Sequence, residues 1–191
     1  MTDPAALDAL LRLCPPPADP PPAPDWAAAE KRLGTGLPED YKRLVEAYGD
    51  GLFDETIWLL SPEATADLSN LHEQRTERDG VLESLWLMDE EKPDGLLEEG
   101  AYVIPWAFEE GSGAFLYWLV RPGQHPDAWT LLFNEGRGPL WEPHAMRCVD
   151  FVLAVLTGTA ETAYFGRLYE ILKPTAHRFE TTAQVIGAPG R

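Results

Sequence analysis

Between residues 102 and 144 four apolar runs follow one another: "YVIPWAF" (102–108), "AFLYWLV" (114–120), "AWTLLF" (128–133) and "PLWEPH" (139–144). The connectors are "EEGSG", "RPGQHPD" and "NEGRG". Parallel neighbours need a crossover of a dozen residues or more, so connectors this short and turn-rich make the strands antiparallel. Pro105 has no N–H to give to a ladder, so its strand should be interrupted, bulged or at an edge. A meander of this kind needs covering helices, and the flanking sequence supplies them.

Residues 25–53 read "DWAAAEKRLGTGLPEDYKRLVEAYGDGLF". Asp25 suits a helix N-cap, and Trp26, Ala29, Glu30 and Leu33 recur on one face. Lys31 and Arg32 sit where the C-terminal dipole favours cations, and Gly34 supplies a left-handed terminus. A second helix opens with Pro38 at its first position and carries Glu39 and Asp40 in its first turn. Leu37, Tyr41, Leu44, Val45 and Tyr48 form its apolar stripe, and Gly49 ends it. The segment is helix, corner, helix.

"TDPAALDALLRLC" reads as an N-terminal helix, and "PPPADPPPAP" (15–24) as a stiff extended spacer. "LFDETIWLL" (52–60) alternates and suits one strand. Ser61 and Pro62 give a helix start, and the leucine period through "EATADLSNLHEQRTERDGVLESLWLM" fits one long helix or two shorter ones. A helix with Val149, Val152, Leu153 and Leu156 on one face stops at Gly158. "AETAYFGRLYEIL" reads as a last helix, and the tail after it has weak periodicity. The expected organisation is a leader (1–24), a domain (25–173) and a C-terminal tail (174–191). The order of elements makes an α+β fold, with a mainly antiparallel sheet flanked by helices.

Charge narrows the function classes. Fifteen Lys and Arg stand against 32 Asp and Glu, a formal net charge of −17. That balance repels nucleic-acid phosphate and anionic membrane, and it suits a basic protein partner. Solubility alone is the commoner reason for such a charge. The two cysteines, Cys14 and Cys148, lie in apolar patterns and read as buried thiols. No apolar run approaches the length of a membrane span, and the start of the chain lacks a signal-peptide pattern, so a cytoplasmic protein is expected.

Catalytic patterns are sparse. "LHEQR" holds His72 and Glu73, half of a zinc-helix signature, but position 76 is Thr where the second histidine belongs. No Walker loop, dinucleotide fingerprint, "GxSxG" or deaminase "PCxxC" occurs. The expectation is no cofactor, no metal and no catalytic residue. Acidic groups remain as candidates for contact with a basic partner: Asp50, Asp54, Asp89, Glu90, Glu91, Glu98, Glu99, Glu109 and Glu110. Trp58 and Trp106 stand near strand ends, where an amphipathic ring can anchor a partner. The plainer reading makes the carboxylates a solvated surface and the tryptophans core.

The segment 25–53 resembles the N-terminal signature of the SUKH superfamily, which joins bacterial toxin-immunity proteins to fungal cell-wall-assembly regulators of the SMI/KNR type. The positions that carry the resemblance are Trp26, Glu30, Gly34, Leu37, Pro38, Tyr41, Gly49 and Gly51. "YVIPWAFEEGSGAFLYWLV" and "LWEPHAMRCVDFVLAVLTG" look like the family's central hairpin and closing strand-to-helix segment, with Cys148 and Val149 where a serine–phenylalanine pair is frequent. The resemblance spans about residues 25 to 158. It implies an α+β domain without cofactor or catalytic residues, and in bacterial members a protein that binds and neutralises a toxin, often a nuclease. It also implies that Glu30 satisfies backbone donors in the corner. A housekeeping scaffold that docks a cellular protein is the alternative, and an enzyme is a third reading disfavoured by the missing motifs.

Overall fold

The computed structural model describes residues 4–19, 21–136, 139–164 and 176–187. Helix α1 (Pro4–Leu13) leads through the proline-rich stretch to α2 (Trp26–Leu33) and α3 (Glu39–Tyr48). A hairpin of β1 (Gly51–Phe53) and β2 (Ile57–Leu59) precedes α4 (Leu71–Leu87). The meander consists of β3 (Tyr102–Glu109), β4 (Phe115–Val120), β5 (Thr130–Asn134) and β6 (Trp141–His144). Helix α5 (Cys148–Leu156) follows, and β7 (Phe179–Thr181) and α6 (Thr182–Gly187) lie near the C-terminus. The seven strands form one antiparallel sheet in the order β6-β5-β4-β3-β2-β1-β7. This is the α+β fold that the short connectors require.

Side chains alternate along β4, so the sheet has two apolar faces. Leu116, Trp118 and Val120 point to one face and join a core with Tyr41, Leu44, Cys148, Phe151 and Val152 from the helices. Phe115, Tyr117 and Leu119 point to the other, where Leu82 of α4 and Leu96 cover them. Strand β3 is interior, and its register slips between Pro105 and Ala107. Trp106 is the extra residue of that bulge, which lets Trp106 and Ala107 both enter the first core. Proline therefore sits inside the sheet at the one kind of interior place that tolerates it.

The corner between α2 and α3 is built as the residues specify. Asp25 accepts a hydrogen bond from Ala28 N–H at 3.0 Å, and Gly34 has φ 75°. Pro38 occupies the N-cap, one residue before the expected position. Glu30 Oε1 accepts from Leu37 N–H at 2.9 Å and meets Lys42 Nζ at 2.6 Å. Leu37 is buried below them, and Tyr41 donates its hydroxyl proton to the Leu60 carbonyl at 2.7 Å. Asp40 reaches further, accepting from Val149 N–H at 3.2 Å. It thus caps α5, whose own N-cap residue Arg147 makes no side-chain cap bond. Burial pushes the Asp40 carboxyl up, against the backbone N–H groups that favour its charged form.

Four expectations change. "LFDETIWLL" is a hairpin instead of one strand, because Asp54 and Glu55 take left-handed conformations (φ 47° and 54°) and Thr56 N–H closes the turn onto the Phe53 carbonyl. The long helix starts at Leu71, not at Ser61, since Asn70 Oδ1 accepts from both His72 and Glu73 N–H. The tail is part of the sheet: β7 pairs with β1 and becomes its edge. The N-terminal helix belongs to the main core as well, where Leu10 and Cys14 are fully buried and Tyr48 donates to the Cys14 carbonyl at 2.6 Å. The expected last helix lies mostly outside the described residues.

Candidate partner-binding surface

The strand registers set two ends of the sheet. Phe53, Ile57, Glu109, Phe115 and Asn134 align at one end, which carries the β1–β2, β3–β4 and β5–β6 turns. Asp50, Tyr102 and Val120 mark the opposite end. Helix α4 crosses the sheet between these ends, with Glu77, Arg78, Val81, Leu85 and Met88 on the flank toward the turns and Arg75, Asp79, Leu82 and Trp86 on the flank toward Tyr102 and Val103.

The expected contact residues divide accordingly. At the turn end, Glu110 is exposed; Asp89 and Glu91 are exposed, with Glu90 half-buried beside them, in the loop that leads from Met88 at the turn-end groove to Lys92 beside Tyr102 and Val103. Glu98 and Glu99 are exposed in the approach to β3, at the opposite end, and Glu98 pairs with Arg121 at 2.9 Å. Asp50 is also at that end, accepting from the Ser69 hydroxyl at 2.8 Å.

Three of the expected contact residues are not on the surface. Trp106 is fully buried, against Trp118 and Phe151, because alternation from Ile104 places it on the helix-covered face of an interior strand. Trp58 is only 4% exposed; it stacks on Phe108 and donates its indole N–H to the Glu110 carboxylate. Glu109 is buried and accepts from the Tyr164 hydroxyl at 3.2 Å. Asp54 is occupied as well. Its Oδ1 accepts from Arg178 N–H at 2.8 Å, its Oδ2 lies 2.6 Å from His177 Nδ1, and Glu55 pairs with Arg178. The β1–β2 turn is thus a clasp for the C-terminal strand.

Other titratable groups are embedded in the fold. Burial pushes the Cys14 thiol up to about 12 and raises the Cys148 thiol, which receives the Trp118 indole N–H at 3.1 Å. A thiol held protonated is a poor nucleophile. Burial lowers His72, which sits in the first turn of α4. Among the described residues no group of three His, Cys, Asp or Glu side chains could hold a metal ion, and no helix is long and apolar enough to cross a membrane.

One concavity of about 1020 Å³ opens at the turn end, between α4 and the β3–β4 and β5–β6 turns. Its helical wall includes Arg78, Val81, Leu85 and Met88, and its far wall is Gly113 and Gly136. A Cβ on Gly136 would overlap the Gly113 carbonyl oxygen, so only glycine lets the two turns abut. Leu87 and Met88, 80% and 70% exposed, extend the apolar surface past the groove. Asp89 and Glu90 follow them, and Glu77 is at the lip. The sequence gives little sign of this place: "EQRTERDG" reads as an ordinary solvated helix face, and the glycines read only as turns.

A scan against protein-family models and searches of curated proteins and of solved structures return no match.

Proposed function

We propose that the chain is a non-catalytic, cytoplasmic protein-binding domain of the SUKH type, an immunity protein that neutralises a basic toxin by direct contact. A nuclease is the partner class that suits it, since a nuclease needs a basic surface to hold phosphate and an acidic protein competes for that surface. The observation that carries the family reading is the corner. Glu30 accepts there from the Gly34 and Leu37 N–H groups, the use that the resemblance implies for it, and Tyr41 fastens the second helix to the Leu60 carbonyl. The observation that supports binding is the turn end of the sheet, where exposed carboxylates flank a mostly apolar groove. Such a surface draws a basic partner by its field and holds it by burial.

The second reading, a housekeeping scaffold, draws support from the acidic residues at the opposite end, Asp50, Glu98 and Glu99, which spread the charge beyond one patch. A tagged full-length chain used as bait in its own cell, followed by association kinetics with the captured protein, tests both. On-rates should fall as salt rises and the Debye length shrinks to about 8 Å. A captured toxin encoded beside this chain supports immunity, and a cellular protein bound at salt-independent rates overturns it.

A further inference from the structure

The groove at the turn end holds a cation that the fold leaves unpaired. Arg78 is 92% buried by its 8% relative exposure, and it lines the groove with its guanidinium 4.6 Å over the Phe115 ring. Its Nε has no hydrogen-bond partner. Among the described residues no carboxylate lies within ion-pair distance of it, in a chain with 32 of them. The neighbouring Asp79 is bound to Arg75 at 3.0 Å. A desolvated charge without a counter-ion is costly, and packing on one aromatic face offsets only part of that cost.

The guanidinium is a planar fork suited to two oxygens of a carboxylate. One cation with Glu77 at the lip and Asp89 beyond Met88 favours a single negative charge over a phosphate dianion. The rest of the wall, Val81, Leu85 and Met88, asks for an apolar neighbour to that carboxylate, and exposed Leu87 continues the apolar surface outward.

We propose that this groove receives a segment of the protein partner in which an Asp or Glu side chain pairs with Arg78 while an adjacent aliphatic residue packs on Val81, Leu85 and Met88. The inference rests on the protein-binding reading and names its anchor. The acidic rim attracts a basic protein as a whole, and the buried arginine selects which part of it enters. A partner with its carboxylate out of register leaves the guanidinium unpaired and is rejected.

The test uses the full chain with ¹⁵N-labelled arginine and backbone, titrated with acetyl-Leu-Glu-Leu-amide and with its Gln counterpart. The Glu peptide should shift the Arg78 Nε–Hε resonance and the amides of Val81, Gly113 and Gly136, with a Kd of about 1 mM or tighter. The Gln peptide should bind about tenfold more weakly. Arg78→Gln should remove that difference. Ser84→Tyr, at an exposed wall position whose larger ring fills the groove with Arg78 in place, should abolish binding of both. Equal shifts with the two peptides, shifts confined to other residues, or a response to inorganic phosphate alone would overturn the proposal. A natural partner whose affinity ignores both substitutions would also overturn it, while leaving the protein-binding reading standing.

Discussion

The two faces of the sheet are covered in different ways. On one, α1, α3 and α5 interlock with the strands, and polar groups are satisfied across long separations: Asp40 caps α5, and Tyr41 and Tyr48 donate to backbone carbonyls. Helix α5 is apolar nearly all round because it is packed against both other helices and the sheet. On the other face α4 lies over Phe115, Tyr117 and Leu119, and its flank from Glu77 to Met88 is separated from the β3–β4 and β5–β6 turns by the groove. The first face holds the larger buried core. The second gives up packing for an accessible surface, and it holds the one buried arginine without an ion pair among the described residues.

Substitutions can break that contrast, beginning with the largest effect. Trp118→Ala removes a ring 1% exposed that touches Tyr41, Trp106 and Trp129, and should lower unfolding free energy by about 3–5 kcal/mol in a denaturant melt. A loss near 1 kcal/mol would mean that the first face is not the stabilising one.

Glu30→Ala should cost about 1–3 kcal/mol, since it leaves Leu37 N–H without its acceptor. Burial alone would raise the Glu30 carboxyl, but Lys42 and the Leu37 N–H outweigh it and hold the group below its ordinary 4.5. A depressed carboxyl stabilises the fold above its ordinary value and ceases to do so as pH falls through its folded value. The gap between wild type and Glu30→Ala should therefore be full at neutral pH and narrow below pH 4.5. A gap that does not change with pH would place the effect in packing instead.

On the second face the effects shrink. Asn70→Ala removes the cap of α4 and should cost about 1 kcal/mol, with amide exchange rising first in the leading turn of that helix. Leu87→Ser, at a position 80% exposed, should change stability by no more than about 0.5 kcal/mol. If Leu87→Ser also weakens binding of the partner, the second face is functional surface. A large stability loss from it would show that this leucine is packed after all.

Local rules carry far in this chain. The Asp25 cap, the left-handed Gly34, the corner at Leu37 and the limits of β3, β4 and β5 follow from short-range sterics and hydrogen bonding, and each is readable within ten residues. The candidate surface is legible only in outline. Asp89, Glu91 and Glu110 are exposed as their charge suggests, but Trp106 lies in the core because its strand is the central one, with three strands on each side and helices over its face. Asp54 reads as a free carboxylate, yet it holds residues 177 and 178 from more than a hundred positions away.

The sequence by itself determined the helix–corner–helix of residues 25–48, the strands of the meander and their antiparallel order, and the acidic balance of the chain. Those outcomes depend on periodicity, turn chemistry and composition, which act along the chain. Tertiary structure alone decided that "LFDETIWLL" folds back on itself, that the tail closes the sheet, that Asp40 caps a helix 109 residues later, and that Arg78 stands buried without a carboxylate. Each of these pairs, or separates, groups that meet only once the sheet has formed, and no local preference encodes a distance between them.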